Sequence, residues 1–84
     1  MNRRYAYRDH EILVCATPSR DDAGWRPEVC VISPRDEWQF VPTHPSVIAS
    51  DVLKCIEIGR RCGESVIERI ALKAGETVRT GPLH

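Results

Sequence analysis

Apolar and small residues recur at Val52, Cys55, Ile56, Gly59, Cys62, Gly63, Val66, Ile67 and Ile70. This i, i+3, i+4, i+7 stripe predicts an amphipathic helix over residues 46–73. Lys54, Glu57, Arg61, Glu64, Glu68 and Arg69 fall on the opposite face. Glu57 stands one turn before Arg61, the favourable order for an ion pair on a helix surface. Ser50 is the expected N-cap, with Asp51 in the first turn against the helix dipole. A start with Pro45 at the first helical position satisfies the same rules. Gly75 is the expected C-terminal stop. Gly59 and Gly63 lie inside the stripe, and each costs about 1 kcal/mol relative to Ala. Close approach of the helix to the protein's own sheet is the expected compensation. The spacing is also that of a membrane helix dimer, but the density of charge excludes a bilayer span.

Upstream of the helix the period falls from near four to two. Residues 5–17 read as a strand, with His10, Ile12, Val14 and Ala16 on one face and Glu11, Leu13, Cys15 and Thr17 on the other. Pro18 stops it, and Ser19-Arg20-Asp21-Asp22-Ala23-Gly24 is a turn by composition. In residues 25–33, Trp25, Pro27, Val29 and Val31 alternate with Arg26, Glu28, Cys30 and Ile32. Ser33-Pro34-Arg35-Asp36 is a second turn, with Pro where a type I turn favours it. Residues 37–41, carrying Trp38 and Phe40, form a third short strand that Pro42 ends. Residues 1–4 read as a loose end and 74–84 as a tail, with Thr77-Val78 the one place there for a few residues of strand.

Short connections favour an antiparallel meander. The expected fold is therefore α+β: a three-stranded antiparallel β-meander followed by one long C-terminal helix on one sheet face, in the order β-β-β-α. The 84 residues suit a single domain with a structured core over 5–73. One helix covers one face of a sheet. Tyr7, Ile12, Val14, Val29 and Val31 mark the face that meets it. Leu13, Cys15, Cys30 and Ile32 are then left on the other face, with Trp38 at its edge, and an apolar patch of that kind on a small domain points to a protein partner or a second copy.

Charge and chemistry change this picture little. Twelve basic residues balance twelve acidic ones, which weighs against a nucleic-acid or anionic-membrane binder. The local exceptions are Arg3, Arg4 and Arg8 at the N-terminus and Arg26 in the second strand. Together with Trp25 and Trp38 as stacking platforms, they are the residues a nucleic-acid binder would use. Lysine is confined to Lys54 and Lys73. No apolar segment follows the basic start, so a cytoplasmic protein with reduced cysteines is expected. Cys15, Cys30, Cys55 and Cys62 contain no C-x-x-C pair, and no metal site or cofactor is expected. A reactive-cysteine enzyme would have to pair Cys15 or Cys30 with His10 or His44. His10 and Glu11, as strand neighbours, point to opposite faces. No catalytic set stands out, and an enzyme is not expected.

The strand pair resembles a family of small, uncharacterised bacterial domains. Its pattern is an aromatic, then I-x-V-x-A, a Gly-containing turn, W-x-P-x-V-x-V and a helix. Tyr7, Ile12, Val14, Ala16, Gly24, Trp25, Pro27, Val29 and Val31 carry the likeness, over residues 5–70. It implies a β-meander with a C-terminal helix and no established activity. The helix departs from the family's pattern in carrying less alanine and more cysteine and glycine. The β-β-β-α order also resembles a double-stranded-RNA-binding domain without its first helix, in topology alone.

Overall fold

The computed structural model describes residues 1–20 and 23–80. Four strands and a helix follow one another: β1 (Asn2–Tyr7), β2 (His10–Pro18), β3 (Trp25–Ile32), β4 (Trp38–Val41) and α1 (Val52–Thr80). The strands form one antiparallel sheet in the order β1-β2-β3-β4, with α1 across it. The α+β class and the C-terminal helix are as expected, but the sheet has four strands rather than three.

The extra strand is β1. Residues 1–4 are not a loose end: β1 pairs along its length with β2, from Asn2 opposite Cys15 to Tyr7 opposite His10. The stretch read as one strand is thus two, folded at Arg8-Asp9. Asp9 is the one turn-favouring residue in it, a weak signal beside the turns that carry Gly or Pro. Arg8 instead adopts a positive φ of 54°. Its guanidinium reaches Glu68 on α1, donating from Nε at 2.7 Å to Oε1 and from Nη2 at 3.1 Å to Oε2. The second turn forms as its sequence predicts, with Asp36 N–H donating to Ser33 C=O at 2.9 Å. Asp36, which tolerates the left-handed region, takes φ 64°. Ser19 N–H donates to Gly24 C=O and closes the first turn; Asp21 and Asp22 lie outside the described residues.

The alternation in β2 and β3 sorts the faces as expected. Ile12, Val14, Ala16, Val29 and Val31 are buried and meet Cys55, Ile56 and Ile67 of α1. Tyr5, Tyr7, Trp25, Val41, Cys62 and Val66 close around this core. Burying side chains of this size contributes about 1.5–3 kcal/mol each. The two helix glycines sit at the centre of the contact. A Cβ at Gly63 would lie 2.5 Å from Ile12 Cγ2, and one at Gly59 would collide with Val14 Cγ1.

Both helix ends differ from expectation. Asp51, not Ser50, caps the start: its Oδ1 accepts from Leu53 N–H at 2.7 Å, and its C=O accepts from Cys55 N–H at 3.0 Å. Residues 42–51 are not helical, so the Pro45 start does not form. They return along the β3 border, where Thr43 Oγ1 donates to Pro27 C=O and Ala49 bridges to Trp25. At the other end α1 passes through Gly75 and takes in Thr77-Val78, so neither a stop nor a strand forms there. Good helix formers before Gly75, among them Ala71, Leu72, Lys73 and Ala74, offset the roughly 1 kcal/mol that an interior glycine costs. Residues 81–84, the rest of the expected tail, lie outside the described residues.

The glycine contact yields a test. Gly59→Ala gains helix propensity but forces a methyl into Val14, so it should destabilise the protein by about 1–3 kcal/mol. Urea unfolding measures this; equal or greater stability would show that the helix does not approach the sheet so closely.

Candidate functional site

Strand register lays out the face opposite α1 in rows. Arg4, Leu13, Cys30 and Phe40 stand in one row across the sheet. Ala6, Glu11, Ile32 and Trp38 form the next, and Asn2, Cys15 and Glu28 the third. The five residues expected at a partner surface therefore share one face or its edge. Their exposure differs. Leu13 and Cys15 are half-buried, whereas Cys30 and Ile32 are 6% and 3% exposed. Both lie on a central strand with a side chain on either side in the row: Cys30 between Leu13 and Phe40, Ile32 between Glu11 and Trp38. They form the floor of the patch. The exposed relief is aromatic, with Trp38 at 56% and Phe40 at 79%. Phe40 was absent from the sequence-derived set, although its spacing of two from Trp38 places both on one face.

The rim carries charge of both signs. Arg4 pairs with Glu11 on the diagonal of their rows. Glu28 and Arg26 are exposed at the far end of β3. The four arginines considered for nucleic acid do not form one surface. Arg4 and Arg26 are on the open face, and Arg3 is on the helix side opposite Val14. Arg8 is taken up by Glu68. Arg60 is likewise engaged, donating to Glu57 at 2.6 Å and Glu64 at 3.1 Å and lying 5.8 Å from the Tyr5 ring centroid. Arg61 donates to Glu57 at 3.2 Å, the helix-surface pair the spacing predicts. Trp25 is committed to the core border.

The cysteine–histidine pairings are not brought together. His10 is on the helix side, while Cys15 and Cys30 are on the open face, with the sheet between them. His44 turns back on its own loop, its Nδ1 2.6 Å from Ser46 Oγ. All four cysteines are free thiols, and burial pushes the Cys55 thiol up. Where the strand ends meet the helix, a hollow of about 370 Å³ is lined by His10, Val31, Glu37, Trp38, Gln39 and Ile70. His10 Nδ1 is shielded there with no hydrogen-bond partner among the described residues.

One polar cluster ties the N-terminal hairpin to the helix. Tyr7 Oη donates to Glu68 Oε1 at 2.7 Å, beside the Arg8 bonds. Hydrogen bonds from Arg8 and then Tyr7 hold the Glu68 carboxyl below the ordinary carboxylate range, and the bond to Glu68 raises Tyr7. Among the described residues no helix is long and apolar enough to cross a membrane. In comparisons with protein-family models, curated proteins and solved structures, nothing matches the chain.

Two expected outcomes follow from these surroundings. A thiol reagent on the native protein should modify Cys15 and Cys62 first and reach Cys30 and Cys55 only on unfolding; rapid native labelling of Cys30 would mean its row neighbours do not cover it. Glu68, whose carboxyl is lowered in the folded state, adds stability that is complete above about pH 4–5 and is lost as pH falls through its folded-state pKa. Glu68→Gln should therefore lower the urea midpoint at pH 7 and converge on wild type once the pH falls below the folded-state pKa of Glu68, and a pH-independent difference would remove the ionic contribution.

Proposed function

We propose that this protein is a small protein-binding module whose contact surface is the helix-free face of its sheet. The observation that carries the reading is the exposure of Trp38 and Phe40 in line with Leu13, Cys30 and Ile32. Aromatic side chains on the edge strand beside an apolar floor, with Arg4, Glu11, Arg26 and Glu28 on its other sides, have the composition of a contact patch: aromatic anchors, an apolar floor and a charged border. Leu13 and Cys15 extend that floor toward β1. Self-association is one way to cover it, and binding to another protein is the other.

Nucleic-acid binding has less support. Of its arginines, Arg4 and Arg8 already hold carboxylates, and Arg3 and Arg26 fall on opposite faces of the sheet. The β-β-β-β-α order also places a strand ahead of the three that prompted the comparison with double-stranded-RNA-binding domains. A strongly salt-dependent affinity for duplex RNA would restore that reading.

The module reading is tested with Leu13→Lys and Phe40→Asp. Phe40 is too exposed to matter much to folding, so its replacement should shift stability by no more than about 0.5 kcal/mol. Each change should nevertheless abolish the complexes that the wild-type protein forms with another protein through this face, assayed by chromatography with circular dichroism as a check on folding. Complexes that persist through both substitutions would overturn the reading.

A further inference from the structure

β4 presents a second feature, independent of the face: its outer border. Ser33 N–H donates to Glu37 C=O, and Trp25 and Ala49 each donate a backbone N–H to the other's C=O. The odd-numbered residues of β3 therefore turn their peptide groups toward β4, where Gln39 and Val41 answer them. By the same alternation, the N–H and C=O groups of Trp38 and Phe40 point away from the sheet. β4 is the last strand in the order, and among the described residues no strand pairs with that side. Hollows between Val41 or Pro42 and Val66, Arg69 and Ile70 show that α1 does not close over it.

Exposed sheet edges are commonly blunted by charge, proline or a bulge. β1, the opposite edge, carries Arg3 and Arg4, so two copies meeting there would set like charges against each other. β4 reads Trp-Gln-Phe-Val, with no charge and no proline. Its open groups are two donors and two acceptors, self-complementary about a two-fold axis.

We propose that β4 pairs antiparallel with β4 of a second copy, joining two sheets into one of eight strands. The reading rests on the protein working through protein contacts, and it names the partner and the seam. The register is determined by the chain. With Trp38 opposite Phe40 of the second copy, and Phe40 opposite its Trp38, all four outward groups on each copy are used. Centring the pair on Phe40 would place Trp38 opposite Pro42, which has no N–H to give. Centring it on Trp38 would place Phe40 opposite Asp36, whose positive φ lies outside the strand. The favoured register also sets two Trp–Phe pairs side by side on the open face, leaves both helices on the other face, and doubles the apolar surface. Gln39, on the helix side, falls directly opposite Gln39 of the second copy.

Gln39 separates this seam from docking through the open face. Sedimentation equilibrium of the reduced wild-type protein should show a dimer. Gln39→Lys places two ammonium groups at one cross-strand position and should weaken that dimer by about tenfold or more, while Leu13→Lys, across the sheet plane, leaves it intact. Under mild oxidation Gln39→Cys should form a linked dimer that neither wild type nor Val41→Cys forms, since directly opposed non-hydrogen-bonded strand residues have Cα atoms about 4.5 Å apart, within disulfide reach. A wild-type monomer at millimolar concentration overturns the seam. So does a dimer that Gln39→Lys leaves unchanged. If that dimer is instead dissociated by Leu13→Lys, the face is the interface and the module reading stands without the edge.

Discussion

The structure depends on how closely α1 can lie on β2 and β3. Gly59 and Gly63 remove two side chains where Val14 and Ile12 rise from the sheet, so the branched side chains of the strand fill the space the helix leaves. An 84-residue chain has few buried residues with which to offset its conformational entropy. Close contact makes those few count, since dispersion falls steeply with any gap. The helix gives up intrinsic propensity at two positions and receives packing in return.

With that contact set, the remaining links locate the other parts. Glu68 lies on α1 beyond the glycines and receives Tyr7 and Arg8, so the β1–β2 hairpin is fastened to the helix as well as to the sheet. At the opposite end, the Trp25–Ala49 bridge and the bond from Thr43 to Pro27 carry the chain back along β3 to the Asp51 cap. Every such link lies on the helix side or along a border. None of these reaches Trp38 or Phe40, which stand clear beside a floor of well-covered Cys30 and Ile32.

Periodic features of the sequence translated directly into structure. The stripe from Val52 to Ile70, the alternation in β2 and β3, and the close approach at Gly59 and Gly63 all rest on side-chain geometry that repeats along an element. The same alternation placed Leu13, Cys15, Cys30 and Ile32 on a common face. What was hidden depended on contacts distant in the chain. The turn at Arg8-Asp9 is stabilised by a residue sixty positions away, so nothing local beyond Asp9 announces β1, and Tyr5 to Thr17 looks unbroken. Ser50 and Asp51 are both good caps, and only the backbone path decides between them. Gly75 resembles a terminator but occurs within a helix. Phe40 follows Trp38 at the strand period, but a strand of four residues gives too short an alternation to show from sequence which of its faces stays open.

α1 outruns the sheet it rests on. Its sheet-facing series of Cys55, Gly59, Gly63 and Ile67 ends thirteen residues before Thr80, and at about 1.5 Å per residue the helix continues for roughly 20 Å past Ile67. The molecule is accordingly elongated, 54 Å along its longest axis against 22 and 17 Å across. Amide protons should therefore exchange along a gradient, slowest where the glycines lie on the strands and faster toward the C-terminal turns. The same geometry makes the helix a strut: whatever meets its far end is held at a distance from the sheet, with a direction set by Gly59 and Gly63.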